Sequence, residues 1–315
     1  MAAAAESVTV YSSVDEENAR KILKAFTEET GIEVRFVFLS SGPALARIQA
    51  EAQNPQADVW LGAPSENHVL AKERGLTQPY KSPNAAALPD QFKDPEGYWH
   101  AFYMNPMGVA INTQWLQRSG APVPTTWKDL LKPEYRGQIQ MPTPQSSGTA
   151  YNLVASLVLM WGEDEAFQYL KALNTNIQTY TQSGTAPSQA VALGQAGVAI
   201  QFTPAFLKLM DEGYPLKLVF PAEGVGYEAP AVSIIKGAPN LEAAKKLVDW
   251  LLSVEGQNTL SREKTYFFPV RPDAETGEGL PAVSEIPLIE YDAIWAGQQR
   301  ERLVNRWIDE VLRGQ

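Results

Sequence analysis

The chain has 315 residues and a net charge of −10, because 36 acidic residues outnumber 26 basic ones. This length is enough for two lobes with separate cores, and the acidic balance argues against a nucleic-acid partner. The absence of cysteine excludes disulfides and thiolate metal sites. Two histidines, His68 and His100, are too few for a histidine-rich metal site.

The first part of the chain alternates strand and helix three times. The strands are "VTVYSS", "IEVRFVFL" and "ADVWLGAP", and a helical pattern follows each of them. Ser13 and Glu16 suggest a capping box at the first helix, and Gly31 is placed to end it. Such alternation predicts an α/β fold with a parallel sheet, which binds ligands at the carboxyl ends of its strands. The candidate ligand residues at these ends are Ser12, Ser13, Ser40, Ser41 and Ala63.

The segment "GYWHAFYMNPMGVAIN" is aromatic and then extended, which predicts a crossover into a second lobe. Within it, Tyr103 and Asn105 are either ligand residues or hinge-packing residues. The extended segment "EGVGYEAPAVSIIKG" leads back to the first lobe. Here Glu228 is either a partner for an amine or sugar hydroxyl of the ligand or a surface carboxylate.

The second lobe repeats the alternation, with strands "GQIQMP", "IQTYTQ", "GVAIQFTP" and "LKLVFP". The predicted first lobe comprises residues 1–103 and 229–275. The second comprises residues 104–228 and 276–315. No apolar run is long enough to span a bilayer. The opening "MAAAAES" has neither the charged nor the apolar region of a signal peptide, so we expect either the added start of a mature chain or a frayed natural terminus.

One pattern recurs at the predicted start of three helices: "SSGPALA", "SSGTAYN" and "QSGTAPS". Serine, threonine and glycine are common helix caps, so capping alone explains any one copy. Three copies across two lobes favour anion binding, because a helix N-terminus offers unpaired N–H groups and glycine permits close approach. The candidates from the second and third copies are Ser146, Ser147, Gly148, Thr149, Ser183, Gly184 and Thr185.

The segments "GPALARIQAEAQNPQADVWLGAP", "PTPQSSGTAY" and "AAKKLVDWLLSVEGQ", with those quoted above, resemble the extracellular solute-binding proteins of ABC importers. The branch that the chain resembles includes ferric-ion, hexose-phosphate and 2-aminoethylphosphonate binders. The resemblance implies the type II periplasmic-binding fold, with two α/β lobes, two hinge crossovers and an interlobe ligand cleft. It also implies that residues 147–149 bind an anion.

Ferric binders of this family carry a tyrosine pair where this chain has Gln201, Phe202 and Thr203. Neutral side chains are poor ligands for ferric iron, which prefers anionic oxygens. Gln201 and Thr203 are therefore candidates for ligand binding, and no metal or cofactor site is predicted.

The sequence lacks the glycine-rich phosphate loops and the nucleophile elbow of common enzymes. Together with this lack of catalytic motifs, the resemblance implies a monomeric, non-enzymatic receptor in the periplasm or outside the cell. It would deliver a small phosphorylated or phosphonate solute to a membrane permease. One alternative is a ferric-iron binder that uses a synergistic anion, and another is an enzyme that processes phosphonates or sugar phosphates.

Overall fold

A computed structural model describes residues 5–314, so part of the opening run "MAAAAES" lies outside the described residues. The described chain forms two compact units. The first unit contains the residues up to Met104 together with Glu228–Val283, and the second contains Asn105–Tyr227 together with the residues from Ser284 onwards. Each unit has its own mixed sheet covered by helices.

The first unit contains six strands and five α-helices among its described residues. The strands are β1 (Ser7–Ser12), β2 (Glu33–Phe38), β3 (Val59–Pro64), β4 (Thr77–Gln78), β5 (His100–Ala101) and β12 (Pro230–Ile235). The helices are α1 (Glu16–Thr30), α2 (Ser41–Ala50), α3 (Ser65–Glu73), α9 (Leu241–Leu252) and α10 (Val254–Arg262).

The strand order in this sheet is β2-β1-β3-β12-β4, and β5 also pairs with β12. Strand β1 is parallel to β2 and β3, as the strand–helix alternation predicts, whereas β12 is antiparallel to β3. The register sets Pro230 opposite Pro64. The carboxyl ends of β1 and β3 and the start of β12 therefore meet at one edge.

The predicted capping box of the first helix is wrong. Helix α1 is capped by Asp15, whose side chain accepts a hydrogen bond from the N–H of Asn18 at 3.0 Å. The Ser13 hydroxyl instead donates to the carbonyl of Leu39 at 2.7 Å. The predicted end of this helix at Gly31 is confirmed, since Gly31 adopts a left-handed conformation with φ of 74°.

The second unit contains six strands and six α-helices among its described residues. The strands are β6 (Asn105–Asn112), β7 (Ile139–Pro142), β8 (Ile177–Thr181), β9 (Val198–Phe202), β10 (Leu216–Val219) and β11 (Tyr227–Glu228), of which the last extends by one residue into the first unit. Five of the helices are α4 (Thr113–Ser119), α5 (Gly148–Trp161), α6 (Glu163–Asn174), α7 (Ala186–Ala192) and α8 (Pro204–Asp211). The sixth, α11 (Ala293–Trp307), comes from the C-terminal segment and continues into a π-helical turn.

The strand order in the second sheet is β10-β6-β9-β7-β8, and β11 pairs with β6. Strand β7 is parallel to both β8 and β9. The carboxyl ends of these three strands therefore lie side by side. Helix α5 begins just after β7, and all its residues from Ala150 to Val158 are buried. A largely apolar helix that is buried on every face is expected at the centre of a unit and not at its surface.

Gly226 shows how closely the chain packs against α5. A β-carbon at this position would lie 1.9 Å from the hydroxyl oxygen of Ser156 and 2.6 Å from the side-chain oxygen of Asn152. The amide of Asn152 also donates to the carbonyl of Tyr227 at 3.1 Å. Only glycine at position 226 permits this contact between the helix and the segment that precedes β12.

We expect Gly226→Ala to destabilise the protein, because overpacking a buried site typically costs about 1–3 kcal/mol. Gly297 provides the control, because it is an exposed helical glycine of the same unit where an added β-carbon would meet no neighbouring atom within 4 Å. Gly297→Ala should be neutral or stabilising by up to about 1 kcal/mol, since alanine favours helices. Urea denaturation measures both variants, and equal stabilities would contradict the packing argument.

His68 is completely buried in the first unit and stacks on Trp60, with ring centroids 4.4 Å apart. Its Nδ1 lies 2.7 Å from the hydroxyl of Ser233, and its Nε2 lies 2.5 Å from the carbonyl oxygen of Gly62. Burial lowers the pKa of His68 to about 4, although the hydrogen bond to Gly62 opposes this shift. Burial likewise lowers the pKa of His100 to about 4.

Because these pKa values are below the ordinary value of 6.5, the unfolded chain binds protons first as the pH falls. The free energy of unfolding should therefore fall between pH 6.5 and 4, by about 3 kcal/mol for one fully buried histidine. His68→Gln should make this decline shallower, whatever its effect at neutral pH. Denaturant titrations at a series of pH values test this, and an unchanged slope would contradict it.

Candidate functional site

The N-terminus of α5 is the best-defined candidate site in the second unit. Ser147 is its N-cap, and the serine hydroxyl accepts a long hydrogen bond of 3.4 Å from the N–H of Ala150. The N–H groups of Gly148 and Thr149 belong to the first turn, where a helix supplies no partner for them. No hydrogen bond satisfies either group within the described residues. Gly148 is exposed to solvent and Thr149 is half-buried.

The two serine-rich loops of the second unit pack against each other. A β-carbon at Gly184 would lie 2.9 Å from the hydroxyl oxygen of Thr149 and 3.2 Å from that of Ser147. The hydroxyl of Ser146 donates to the carbonyl of Gln182 at 2.9 Å. We call residues 146–149 together with Gly184 the anion cradle. Its side chains are all neutral, and hydroxyl and N–H groups are its only donors.

The remaining candidates of the "QSGTAPS" loop lie farther along the same loop. Ser183 and Thr185 are exposed, and their hydroxyl oxygens are 3.1 Å apart. The N–H of Thr185 also donates to the Ser183 hydroxyl at 3.2 Å. Helix α7 then begins at Ala186 and has seven residues. Ser183 and Thr185 thus stabilise the loop that carries Gly184.

Gln201 positions this loop from β9. Its side-chain oxygen accepts a hydrogen bond from the N–H of Ser188 at 3.0 Å. The Ser188 hydroxyl in turn donates to the carbonyl of Thr185 at 2.7 Å. Because Gln201 is 1% exposed, this bond fixes the orientation of its amide. The side chain therefore orders the start of α7.

Thr203 follows Gln201 at the carboxyl end of β9 and is completely buried. A β-carbon added at Gly108 of β6 would lie 2.8 Å from the methyl group of Thr203. Strand β6 and the end of β9 therefore approach each other closely here. Its hydroxyl has no hydrogen-bond partner within the part of the chain that the structure describes. An unsatisfied buried hydroxyl is costly and is a recognised sign of a polar site.

Two candidates of the first unit, Ser12 and Ser13, already have structural roles. Ser12 is completely buried, and its hydroxyl lies 3.3 Å from both the N–H and the carbonyl oxygen of Val14. The Ser13 hydroxyl accepts from the indole N–H of Trp60 at 3.0 Å and donates to Leu39. These bonds hold the end of β1 against its neighbouring strands.

The other strand-end candidates of the first unit lie at the start of α2 and the end of β3. Ser40 is the N-cap of α2 but makes no side-chain capping bond, and Ser41 is the first helical residue. Ala63 has φ of 64°, and Gly62 before it has φ of 85°. A left-handed alanine is strained, and such strain is concentrated at functional sites.

Tyr103, Asn105 and Glu228 lie at the two crossover segments. Tyr103 is 5% exposed, and its ring stacks on Phe267 at a centroid distance of 4.0 Å. Burial raises the pKa of Tyr103 well above its ordinary value, and the charge of Glu228 adds to the effect. Asn105 is the buried first residue of β6, and Glu228 is half-buried in β11.

Sequence reasoning missed Asp15 as a site candidate. This exposed carboxylate caps α1 at the end of β1, and its charge also raises the pKa of Tyr103. The signal was present in "SSVDEEN", where an acidic cap precedes a helical run. Because the sequence analysis assigned the cap to Ser13, it did not consider Asp15. Among the described residues, no group of three or more histidine, aspartate or glutamate side chains could hold a metal ion.

Comparison with known proteins decides the family. The profile of a family described as bacterial extracellular solute-binding protein matches residues 54–295. The chain belongs to this family. A Haemophilus influenzae member, named only as an uncharacterized protein, is 38% identical and is matched over 96% of this chain and 90% of its own. A putative 2-aminoethylphosphonate-binding periplasmic protein of Salmonella typhimurium is 30% identical over 79% of this chain and 73% of its own.

Among solved structures, this extracellular solute-binding protein resembles the periplasmic binding protein AfuA from Actinobacillus pleuropneumoniae, solved with fructose-6-phosphate bound. The two are 38% identical, the match covers 98% of this chain and 99% of AfuA, and the TM-score is 0.81. The predicted type II periplasmic-binding fold with two lobes is confirmed. No helix within residues 5–314 combines the length and apolar character needed to cross a membrane.

Two helix-cap variants distinguish an effect on stability from an effect on ligand affinity at the start of α5. Ser147→Ala should cost about 0.5 kcal/mol of stability, at the low end for a cap, because its capping bond is long. Asp292→Ala is the control, since Asp292 caps α11 of the same unit through a 3.0 Å bond from Trp295. It should cost about 1 kcal/mol. If a ligand binds at this helix start, only Ser147→Ala should weaken its affinity in calorimetry, and equal affinities would leave Ser147 as a cap alone.

Proposed function

We propose that this protein is the substrate-binding component of an ABC importer and that it binds a small phosphorylated or phosphonate solute. The observation that carries the proposal is the anion cradle. Its unpaired N–H groups at Gly148 and Thr149 belong to the first turn of a buried helix, and the glycine loop at Gly184 packs beside them. Helix N-termini bind phosphate-like groups through such donors and through the helix dipole.

The donors of the anion cradle are neutral, and they can bind an anion through hydrogen bonds alone. Hydroxyl and backbone N–H groups donate hydrogen bonds without adding formal charge. A hydrogen bond to a charged group contributes about 1.5–3 kcal/mol, so a few such bonds suffice for tight binding. The lack of a side chain at Gly148 leaves room for the anion at the backbone, and that at Gly184 lets the second loop approach the hydroxyls of Ser147 and Thr149.

The relatives support the same ligand class. One is named for a phosphonate, and another was solved with a sugar phosphate. Both ligands carry a phosphoryl-type anion on a small organic group. As the binding component of an importer, the protein would be exported, would act as a monomer and would deliver its ligand to a membrane permease. It would return the ligand chemically unchanged.

Ferric iron with a synergistic anion is the second candidate, because the family also includes iron-binding proteins. Gln201, Phe202 and Thr203 occupy the position where ferric binders carry adjacent tyrosines, and none of the three supplies an anionic oxygen. The phosphorylated or phosphonate ligand is therefore the better-supported proposal.

Titration calorimetry tests the anion cradle. A phosphorylated or phosphonate compound should bind, and removing its phosphoryl group should abolish or sharply weaken binding. Thr149→Val keeps the side-chain shape but removes a hydroxyl, so affinity should fall by about tenfold to a hundredfold. Gly148→Asp should weaken binding more, since its carboxylate repels the anion at the helix start.

Gly297→Asp is the charge control, because it adds the same carboxylate at an exposed position of α11 in the same unit. It should leave affinity unchanged. Unchanged affinity in both Thr149→Val and Gly148→Asp would refute the cradle. Binding of ferric salts with a strong phenolate-to-iron absorption band would favour the iron alternative, and turnover of the compound would favour an enzyme.

A further inference from the structure

Helix α11 carries three arginines, and two of them are paired with carboxylates. Arg302 donates to both carboxylate oxygens of Glu163, at 2.7 and 3.0 Å, and Arg306 donates to the same group at 2.8 Å. These hydrogen bonds lower the pKa of Glu163 to about 2. Arg300 differs from both, because it is exposed and no carboxylate that the structure describes lies within ion-pair distance of it.

Arg300 lies against the first turn of α5. Its guanidinium carbon is 5.4 Å from the centre of the Tyr151 ring, which is a cation–π contact. The N–H of Tyr151 donates to the carbonyl of Ser147 at 3.1 Å, so the tyrosine is one helical turn from the cap. Its hydroxyl donates to the carbonyl of Ala296 on α11. Because Tyr151 is fixed between the two helices, it fixes the place of the arginine as well.

Helices α5 and α11 run in the same direction, which separates this arginine from the paired ones. Ala296 contacts Tyr151 in the first turn of α5. Arg302 contacts Glu163, which follows the last residue of α5 by two positions. The paired charges therefore lie near the C-terminal end of α5, and the charge without a carboxylate partner lies near its N-terminal end.

A cation is unfavourable at this end of a helix unless an anion is present. The helix dipole places about half a positive charge at the N-terminus, so it repels the guanidinium of Arg300. An anion at the helix start would be attracted by the N–H groups and by the guanidinium together. The whole chain carries a net charge of −10, so a local positive charge also offsets the repulsion that an approaching anion meets.

We propose that Arg300 steers the anionic solute to the anion cradle through its electric field, without contacting the solute. This inference rests on the proposed function. Tyr151 lies about 5 Å along the helix axis from Gly148. The guanidinium is 5.4 Å beyond the tyrosine ring, so its charge is on the order of 10 Å from the cradle. The Debye length is about 30 Å at 0.01 M salt and about 3 Å at 1 M, so only low salt leaves this interaction unscreened.

Calorimetry at two salt concentrations tests the steering role, with fructose 6-phosphate as the first probe and 2-aminoethylphosphonate as the second. At about 0.01 M salt, Arg300→Gln should lower the affinity for a doubly charged phosphoryl group by about threefold, as Coulomb's law gives for this distance in water. At about 1 M salt the variant and the wild-type protein should bind equally well. Arg300→Lys keeps the positive charge, so it should retain most of the affinity and its salt dependence.

Arg118→Gln is the matched control. Arg118 is exposed in the last turn of α4 and has no carboxylate partner among residues 5–314. Helix α4 follows β6, which is antiparallel to β9, whereas α5 follows β7, which is parallel to β9. The two helices therefore start at opposite edges of the sheet, and the control should change affinity far less than Arg300→Gln at low salt.

The outcomes separate the steering role from the proposed function. Unchanged affinity of Arg300→Gln at low salt would overturn the steering role, and so would a loss of equal size at both salt concentrations, which indicates a packing defect. An equal loss in the Arg118→Gln control would overturn it as well, because the effect would then belong to the total charge. Each of these results leaves the proposed function intact. Failure of the wild-type protein to bind either probe would contradict the proposed function and the steering role together.

Discussion

The parallel pairing of β7 with β8 and β9 is the constraint on which the candidate site of the second unit depends. Parallel strands place their carboxyl ends at one edge, so the segments that follow β7 and β8 must start side by side. The N–H of Thr143 donates to the carbonyl of Thr181 at 2.8 Å and continues this pairing beyond the strands. From that point, one segment enters α5 and the other forms the loop that carries Gly184.

Glycine then determines how close the two segments come. Gly184 lies against the hydroxyls of Ser147 and Thr149, so a larger residue would push the loop away from the helix start. Gln201 holds the far end of the same loop through the N–H of Ser188. The donors of the cradle are thus positioned by packing and backbone bonds. Preorganised donors bind more tightly than mobile ones, because less freedom is lost on binding.

The two units use their polar residues differently. In the first, the hydroxyls of Ser12 and Ser13 are engaged by backbone and indole groups, and burial together with the charges of Glu228 and Asp15 raises the pKa of Tyr103. In the second, neutral donors gather at a helix start. An acidic net charge is compatible with this arrangement, because binding depends on the local field and not on the total charge.

The sequence alone determined the fold class, most elements and the three serine–glycine helix starts. Hydrophobic periodicity and caps are local signals, legible over a few residues. The sequence analysis placed the cap of α1 at the wrong residue, because serine and aspartate are both good caps. Only the structure shows that the Ser13 hydroxyl bonds to Leu39 and that Asp15 caps the helix. Tertiary structure decided that Gly184 packs on Thr149 and that the carboxyl ends of β1 and β3 meet the start of β12. Those contacts join residues far apart in the chain, and strand register, which no local pattern encodes, brings them together.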